Sequence, residues 1–295
     1  MIRALLWAAL VLAFIVLATS SALRLSTNGL SCAPWPACYG QASTAQAARA
    51  APATQALRAI HRVAATVFGL LALALAVVGW RSFAGVERAA VILLLAVTGG
   101  LAWLGRHTPS PLPWVTLANV LGGLALIALL AWLLAYGSDS KTRTWPLGLL
   151  GLALALQAVG GALISARLAA ASACSGSCEQ TWLPGAAALW DVTRAGSAAD
   201  LLGLPQAGQP LIVLHALTGI GILIAALLIG AVQGGGHARK LALAAGAASA
   251  AGMGLYAFES PLSLAVLHAA LAGGLIATLA ASAAGGRHDS RESVQ

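Results

Sequence analysis

Long apolar stretches separated by short polar breaks dominate the chain. Read from the amino-acid sequence, they predict helices near 4–23, 60–80, 88–105, 114–136, 146–167, 210–232, 240–258 and 262–283. Each approaches the roughly 20 apolar residues that cross a hydrocarbon layer. Without water to satisfy backbone polar groups, a run of this kind must be helical. The expected fold is therefore all-α and integral to the membrane, with eight transmembrane helices. The first run follows Met1-Ile2-Arg3 and continues to about Leu23. It is longer than the roughly 7–15-residue core of a cleaved signal, so it is expected to stay as the first helix. Two connections are long, 24–59 and 168–209. The others are short turns marked by Gly, Pro or charge.

Composition agrees with the pattern. Of 295 residues, 60% are hydrophobic and 8% charged, against about 25% charged in soluble domains. The net charge of +8 has no basic stripe interleaved with aromatics, which argues against nucleic acid as a partner. With the N-terminus inside, nine of the 16 Lys and Arg fall on short inner segments: Arg3, Arg81, Arg88, Lys141, Arg143, Arg239, Lys240, Arg287 and Arg291. The positive-inside rule then puts both termini in the cytoplasm and both long loops outside.

The order of features repeats. Each half reads as helix, long outer loop with a close cysteine pair, helix with an early histidine, helix, short outer turn, helix. Ile60-His61 is expected to open the second helix, and Leu214-His215 lies early in the sixth. The fourth and eighth helices align without gaps, Asn119-Val-Leu-Gly-Gly-Leu against His268-Ala-Ala-Leu-Ala-Gly, so Asn119 occupies the place of His268. Two pseudo-symmetric four-helix bundles are expected, residues 1–140 and 141–285, with a cytoplasmic tail at 286–295. Duplicated units are common in membrane proteins and name no function by themselves.

The candidate chemistry lies in histidines and cysteines. His107, His237 and His288 fall in loops or the tail and read as solvated. His61, His215 and His268 lie within or at the edge of apolar spans, where ionisable groups are costly and turn to the bundle interior. Two imidazoles at matched depth on neighbouring helices, His215 and His268, suit one haem iron. The plainer alternative is a histidine bonded to a carbonyl or a partner helix. Gly69, Gly122 and Gly123 in one half, and Gly219, Gly221, Gly273 and Gly274 in the other, either let helices approach or leave room for a flat macrocycle. Cys32 with Cys38, and Cys174 with Cys178, lie in the outer loops, where an oxidising compartment permits disulfides. Unrelated thiols and zinc are the alternatives, and 174–178 offers zinc no histidine.

The string Gly29-Leu-Ser-Cys-Ala-Pro-Trp-Pro-Ala-Cys38, preceded by Arg24-Leu25 and followed by His61-Arg62, resembles the haem A synthase family. The duplicated layout, the second cysteine pair and the His215/His268 pair fit that resemblance over almost the whole chain. The resemblance implies a membrane oxidoreductase that converts haem O to haem A for cytochrome oxidase biogenesis in the cell inner (plasma) membrane. It implies haem b between His215 and His268, substrate haem O at His61 in the first half, and disulfides Cys32–Cys38 and Cys174–Cys178. Partners on this view are membrane lipid, haem, an unknown electron donor, and haem O synthase or oxidase assembly factors. The chain departs from the family twice: Arg58 stands where a catalytic glutamate is usual, and Asn119 where a second first-half histidine is usual. A non-catalytic haem b-binding relative acting in oxidase assembly or electron transfer is the alternative. A transporter has the least support, because the spans carry no evident ion relay.

Overall fold

The computed structural model describes residues 1–25, 52–108, 110, 112–137, 144–169, 185–204, 206–233, 235–257 and 262–285. Nine α-helices occur among them: α1 (Ile2–Leu25), α2 (Pro52–Gly79), α3 (Gly85–Leu104), α4 (Pro113–Ala135), α5 (Thr144–Ala166), a short α6 (Ala198–Leu202), α7 (Gln209–Gln233), α8 (Gly235–Ala257) and α9 (Leu262–Gly285). No strand occurs among the described residues. Local chemistry explains several starts. Pro113 sits in the first turn of α4, where the missing N–H costs nothing. At the start of α3, Glu87 accepts a 2.8 Å bond from the Ala84 N–H, an acid at the positive end of the helix dipole.

Among the described residues, seven helices are long and apolar enough to cross a membrane: α1, α2, α3 with its 3-10 extension, α4, α5, α7 and α9. The chain is a multi-pass, all-α membrane protein. The helix at the place of the expected eighth span, α8, falls short of this standard. α8 has the length, but Arg239 and Lys240 occupy its first turns and Ala, Gly and Ser fill much of the rest. Its fold as a helix owes more to propensity than to apolarity, since Ala is the best helix former.

Two expectations are corrected. α2 begins at Pro52 rather than near 60, so His61 is its tenth residue, not its opening. Residues 52–59 are Pro-Ala-Thr-Gln-Ala-Leu-Arg-Ala, polar enough to fall outside an apolar run but well suited to helix. The connection after α5 is not all loop. It holds a 3-10 turn at Ala186–Trp190 and α6. Ser197 Oγ accepts from Asp200 N at 3.1 Å, and Gly203 closes α6 in the left-handed region at φ 65°, as helix caps require. The cysteine pairs, Lys141, Arg143 and the 286–295 tail lie outside the described residues.

Packing closes two rings of helices. α1 packs on α2 and α4, with α3 between α2 and α4. α5 packs on α7, α7 on α8, α8 on α9, and α9 returns to α5. One core centres on Leu75, Leu94, Ile127 and Leu130, the other on Leu150, Ala226, Leu241 and Leu275. α4 and α9, the two helices that align without gaps, lie against each other. The outward faces are apolar too: Val63, Leu70 and Val77, seven residues apart on α2, and Leu149, Leu152 and Leu156 on α5 are all exposed. In water such faces would associate. In lipid they are solvated, and close packing holds the helices together.

Candidate functional site

His215 is the seventh residue of α7, and His268 is the seventh residue of α9. The equal register brings their rings together, with centroids 6.3 Å apart and planes at 81°. A metal bonded at about 2.0–2.1 Å to one nitrogen of each imidazole fits between ring centres at this spacing.

The hydrogen bonds fix which nitrogens carry protons. Nδ1 of His268 lies 2.9 Å from the Ala248 carbonyl oxygen. A carbonyl only accepts, so Nδ1–H donates and Nε2 is proton-free. His61 has a hydroxyl in the corresponding place: Thr19 Oγ1 lies 3.0 Å from its Nδ1 and 2.7 Å from the Ile15 carbonyl oxygen, and a hydroxyl can donate or accept.

His215 reaches the protonation state of His268 by a different contact. Gln157, on α5, places its side-chain Nε2 2.8 Å from the His215 carbonyl oxygen. Only the NH2 end of an amide can face an acceptor, so the amide orientation is settled. Thr218 donates to the other end, Gln157 Oε1. The second amide hydrogen is left for Nε2 of His215, 3.3 Å away. As the acceptor of that hydrogen, Nε2 has its one lone pair engaged, and the proton is on Nδ1. The buried Nδ1 of His215 has no hydrogen-bond partner among the described residues.

Missing side chains make the room. A Cβ on Gly160 or Gly161 of α5 would come within 3.3 or 3.1 Å of the His215 ring, and one on Gly252 of α8 within 3.0 Å of the His268 ring. The other glycines divide. A Cβ on Gly122 would strike Leu101, and one on Gly273 would strike Leu17 and Phe14, so these two serve helix approach. Gly69, Gly123, Gly221 and Gly274 have nothing within 4 Å of that position. Gly219 leaves space for the Gln157 amide, at 3.1 Å.

The two neighbouring rings and the glycine cradle suit an iron porphyrin held by two histidines, with the Gln157 amide having to leave His215 Nε2 for that nitrogen to bind. A cleft of about 710 Å³ runs between α5 and α7, with His215, Thr218 and Gly160 among its otherwise largely apolar walls and Trp145 and Trp190 also lining it. The size is that of a small-molecule or cofactor site. His268 is not among its walls.

The first ring of helices does not reproduce the pair. Asn119 is likewise the seventh residue of its helix. Its Nδ2 is committed to Thr108 Oγ1 at 3.1 Å and the Val115 carbonyl at 3.0 Å. His61 is engaged instead with α1, through Thr19. Arg58 lies one turn before His61 on the same helix, half-buried. His107 stacks on Trp103 at 4.7 Å and takes no part.

Beside the His215 site, Arg167 organises the segment between α5 and α7. Its side chain is fully buried. It donates to the carbonyls of Leu189 at 3.1 Å, Asp191 at 2.5 Å, Arg194 at 2.8 Å and Gly196 at 2.9 Å. Burial lowers its pKa, and the Asp191 carboxylate opposes the shift. Hydrogen bonds from Thr193 hold the Asp191 carboxyl below its ordinary range, and those from Ser197 do the same for Asp200.

Gln157, Thr218, Gly160, Gly161 and Gly252 were not singled out from the sequence. A signal for three of them existed. Gln157 interrupts an otherwise apolar run, and Gly160-Gly161 follow at the three- and four-residue spacing that shares a helix face. No protein-family model matches the chain, and no curated protein matches it.

Proposed function

We propose that this chain is a haem-binding membrane oxidoreductase of the haem A synthase type. Haem b is held between His215 and His268, and haem O is presented to the half that carries His61. The carrying observation is the pair of imidazoles 6.3 Å apart. Bound there, haem b supplies one-electron chemistry. The protein's part is to orient the His268 ring through Ala248 and to keep bulk away through Gly160, Gly161 and Gly252. The duplicated four-helix halves, with eight spans, both termini cytoplasmic and the cysteine loops outside the inner membrane, belong to the same proposal.

A second reading, a haem b-binding relative without oxidation, draws support from Asn119. Its amide nitrogen is already bonded to Thr108 and Val115, which leaves only an amide oxygen, a poor iron ligand beside imidazole. Arg58 cannot act as a carboxylate base, though it can pair an acidic group.

One experiment separates the two. The protein is expressed in a host that makes haem O but no haem A, and its haems are extracted and identified. Haem A in the extract is the expected result. Haem b alone, abolished by His215→Ala or His268→Ala, rules out oxidation and leaves the second reading. Haem A made only by an Asn119→His, Arg58→Glu variant also leaves the second reading.

A further inference from the structure

Two arginines close helices in the same way, Arg24-Leu25 at the end of α1 and Arg167-Leu168 just after α5. Their guanidinium groups are used differently. That of Arg167 is taken up by four backbone carbonyls. Among the described residues, Arg24 meets only hydroxyls. Its Nε donates to Ser165 Oγ on α5 at 2.9 Å, and its Nη2 lies 3.4 Å from Ser21 Oγ, one turn back on α1. Both serines are buried. The plain account is a polar contact that ties α1 to α5. That account explains the Nε bond but not the charge, since a neutral amide reaches a hydroxyl as well. Nor is the head turned to water, as in a snorkelling arginine. It is held inward on a buried hydroxyl. The bundle offers it no counter-charge. Of the long helices only α3 carries an Asp or Glu, and that Glu87 caps the helix start at the opposite end of the bundle. An ionisable residue kept within a membrane bundle calls for a partner.

The neighbours of Ser165 point to that partner. Ser165 stands one turn beyond Gly161 on the same face of α5, with about 5–6 Å between Cβ positions. A Cβ on Gly161 would lie 3.1 Å from Cε1 of His215. The guanidinium is therefore about one turn from the paired rings, toward the end of the bundle where α1 and α5 finish. We propose that Arg24 is an anion-binding residue lent by the first ring of helices to the site of the second, and that its partner is a propionate carboxylate of a porphyrin lying beside His215. With Nε held by Ser165, Nη1 and Nη2 form the open edge of the group, and a guanidinium takes a carboxylate through two parallel N–H bonds. The name of the ligand rests on the haem reading above. The cation site does not, and neither depends on which nitrogen of His215 meets iron.

The test uses a porphyrin without metal. Protoporphyrin IX is a dicarboxylic acid, and its dimethyl ester has the same ring and no charge. The full chain, made in cells that supply no haem, is placed in phosphatidylcholine nanodiscs and titrated with each compound by fluorescence. The wild type is expected to bind the diacid about tenfold or more tightly than the diester. Arg24→Gln keeps a donor for Ser165 and removes the charge, so the two compounds should then bind about equally. Arg24→Lys should restore most of the preference. Arg24→Met, which replaces a buried cation by an apolar chain of similar length, repeats the test should Arg24→Gln not fold. A preference that survives in Arg24→Gln or Arg24→Met overturns the proposal. So does a wild type that binds acid and ester alike, or neither. Native mass spectrometry covers the other source of an oxyanion. One bound phosphatidylglycerol present in the wild type and lost in Arg24→Gln gives the guanidinium to a lipid phosphate and also overturns the proposal. The haem reading is judged apart, from the haem content of protein made in haem-replete cells. An Arg24-dependent preference in a protein that holds no haem upholds this site and defeats that reading. Equal binding of acid and ester by a protein that does hold haem b has the reverse meaning.

Discussion

At the scale of single residues, the site is built as much by absent side chains as by present ones. Gly161 and Gly252 would each place a Cβ 3.0–3.1 Å from an imidazole carbon. The ring would have to shift by a few tenths of an ångström. Gly→Ala within a helix ordinarily stabilises by about 0.5–1 kcal/mol, so loss of haem without loss of helix is diagnostic. Gly161→Ala and Gly252→Ala are expected to lower haem content in the purified protein while thermal stability holds or rises. Gly148→Ala on α5, with nothing within 4 Å, should keep wild-type haem content. Equal haem in all three would mean that the cradle has no part in binding. Sequence reading found His215 and His268 because a polar ring in an apolar span is costly. It could not find Gly252, because one small residue in a helix rich in Ala and Gly carries no signal. Only packing shows which glycine faces a ring.

At the scale of elements, the segment from Gly185 to Leu204 depends on one buried cation. Arg167 donates to four carbonyls, of which that of Asp191 also accepts from the Arg194 N–H, and an acceptor left buried and unpaired costs about 1–3 kcal/mol. Arg167→Met is therefore expected to make this segment the first site of proteolytic cleavage and to lower the melting temperature. Unchanged cleavage would contradict the role. The same segment should loosen in acid. Asp191 and Asp200 have lowered pKa values in the fold. Their hydrogen bonds are fully present above the ordinary carboxylate pKa of about 3.9 and are lost as pH falls through the lowered values. Hydrogen exchange at residues 191–203 should be slow at pH 6 and, corrected for its intrinsic rate, faster below about pH 4. Sequence patterning placed most of the long helices to within a few residues, because apolar runs report where lipid is. It missed Pro52–Ala59 of α2 and the small helices between α5 and α7. These form from propensity and capping, which an apolar pattern does not register. α8 shows the converse, a helix whose composition falls short of a span.

At the scale of the whole molecule, two rings of helices meet along α4 and α9. Asn119 and His268 stand at the same register, the seventh residue, of these two helices. The difference between Asn119 in one ring and His268 in the other was legible in the sequence order. The physical form of that difference was not. In one ring two histidines face each other, and in the other His61 turns to Thr19 while Asn119 turns to Thr108. An asymmetric molecule of this kind should lose haem b unevenly. His61→Ala is expected to retain it, whereas His215→Ala and His268→Ala are not. The most direct test of the account is the absorption spectrum of the purified protein beside these three variants. The account predicts stoichiometric low-spin haem b in the wild type and in His61→Ala, and none in His215→Ala or His268→Ala. Haem b retained in both of the latter, or missing from the wild type, would contradict it.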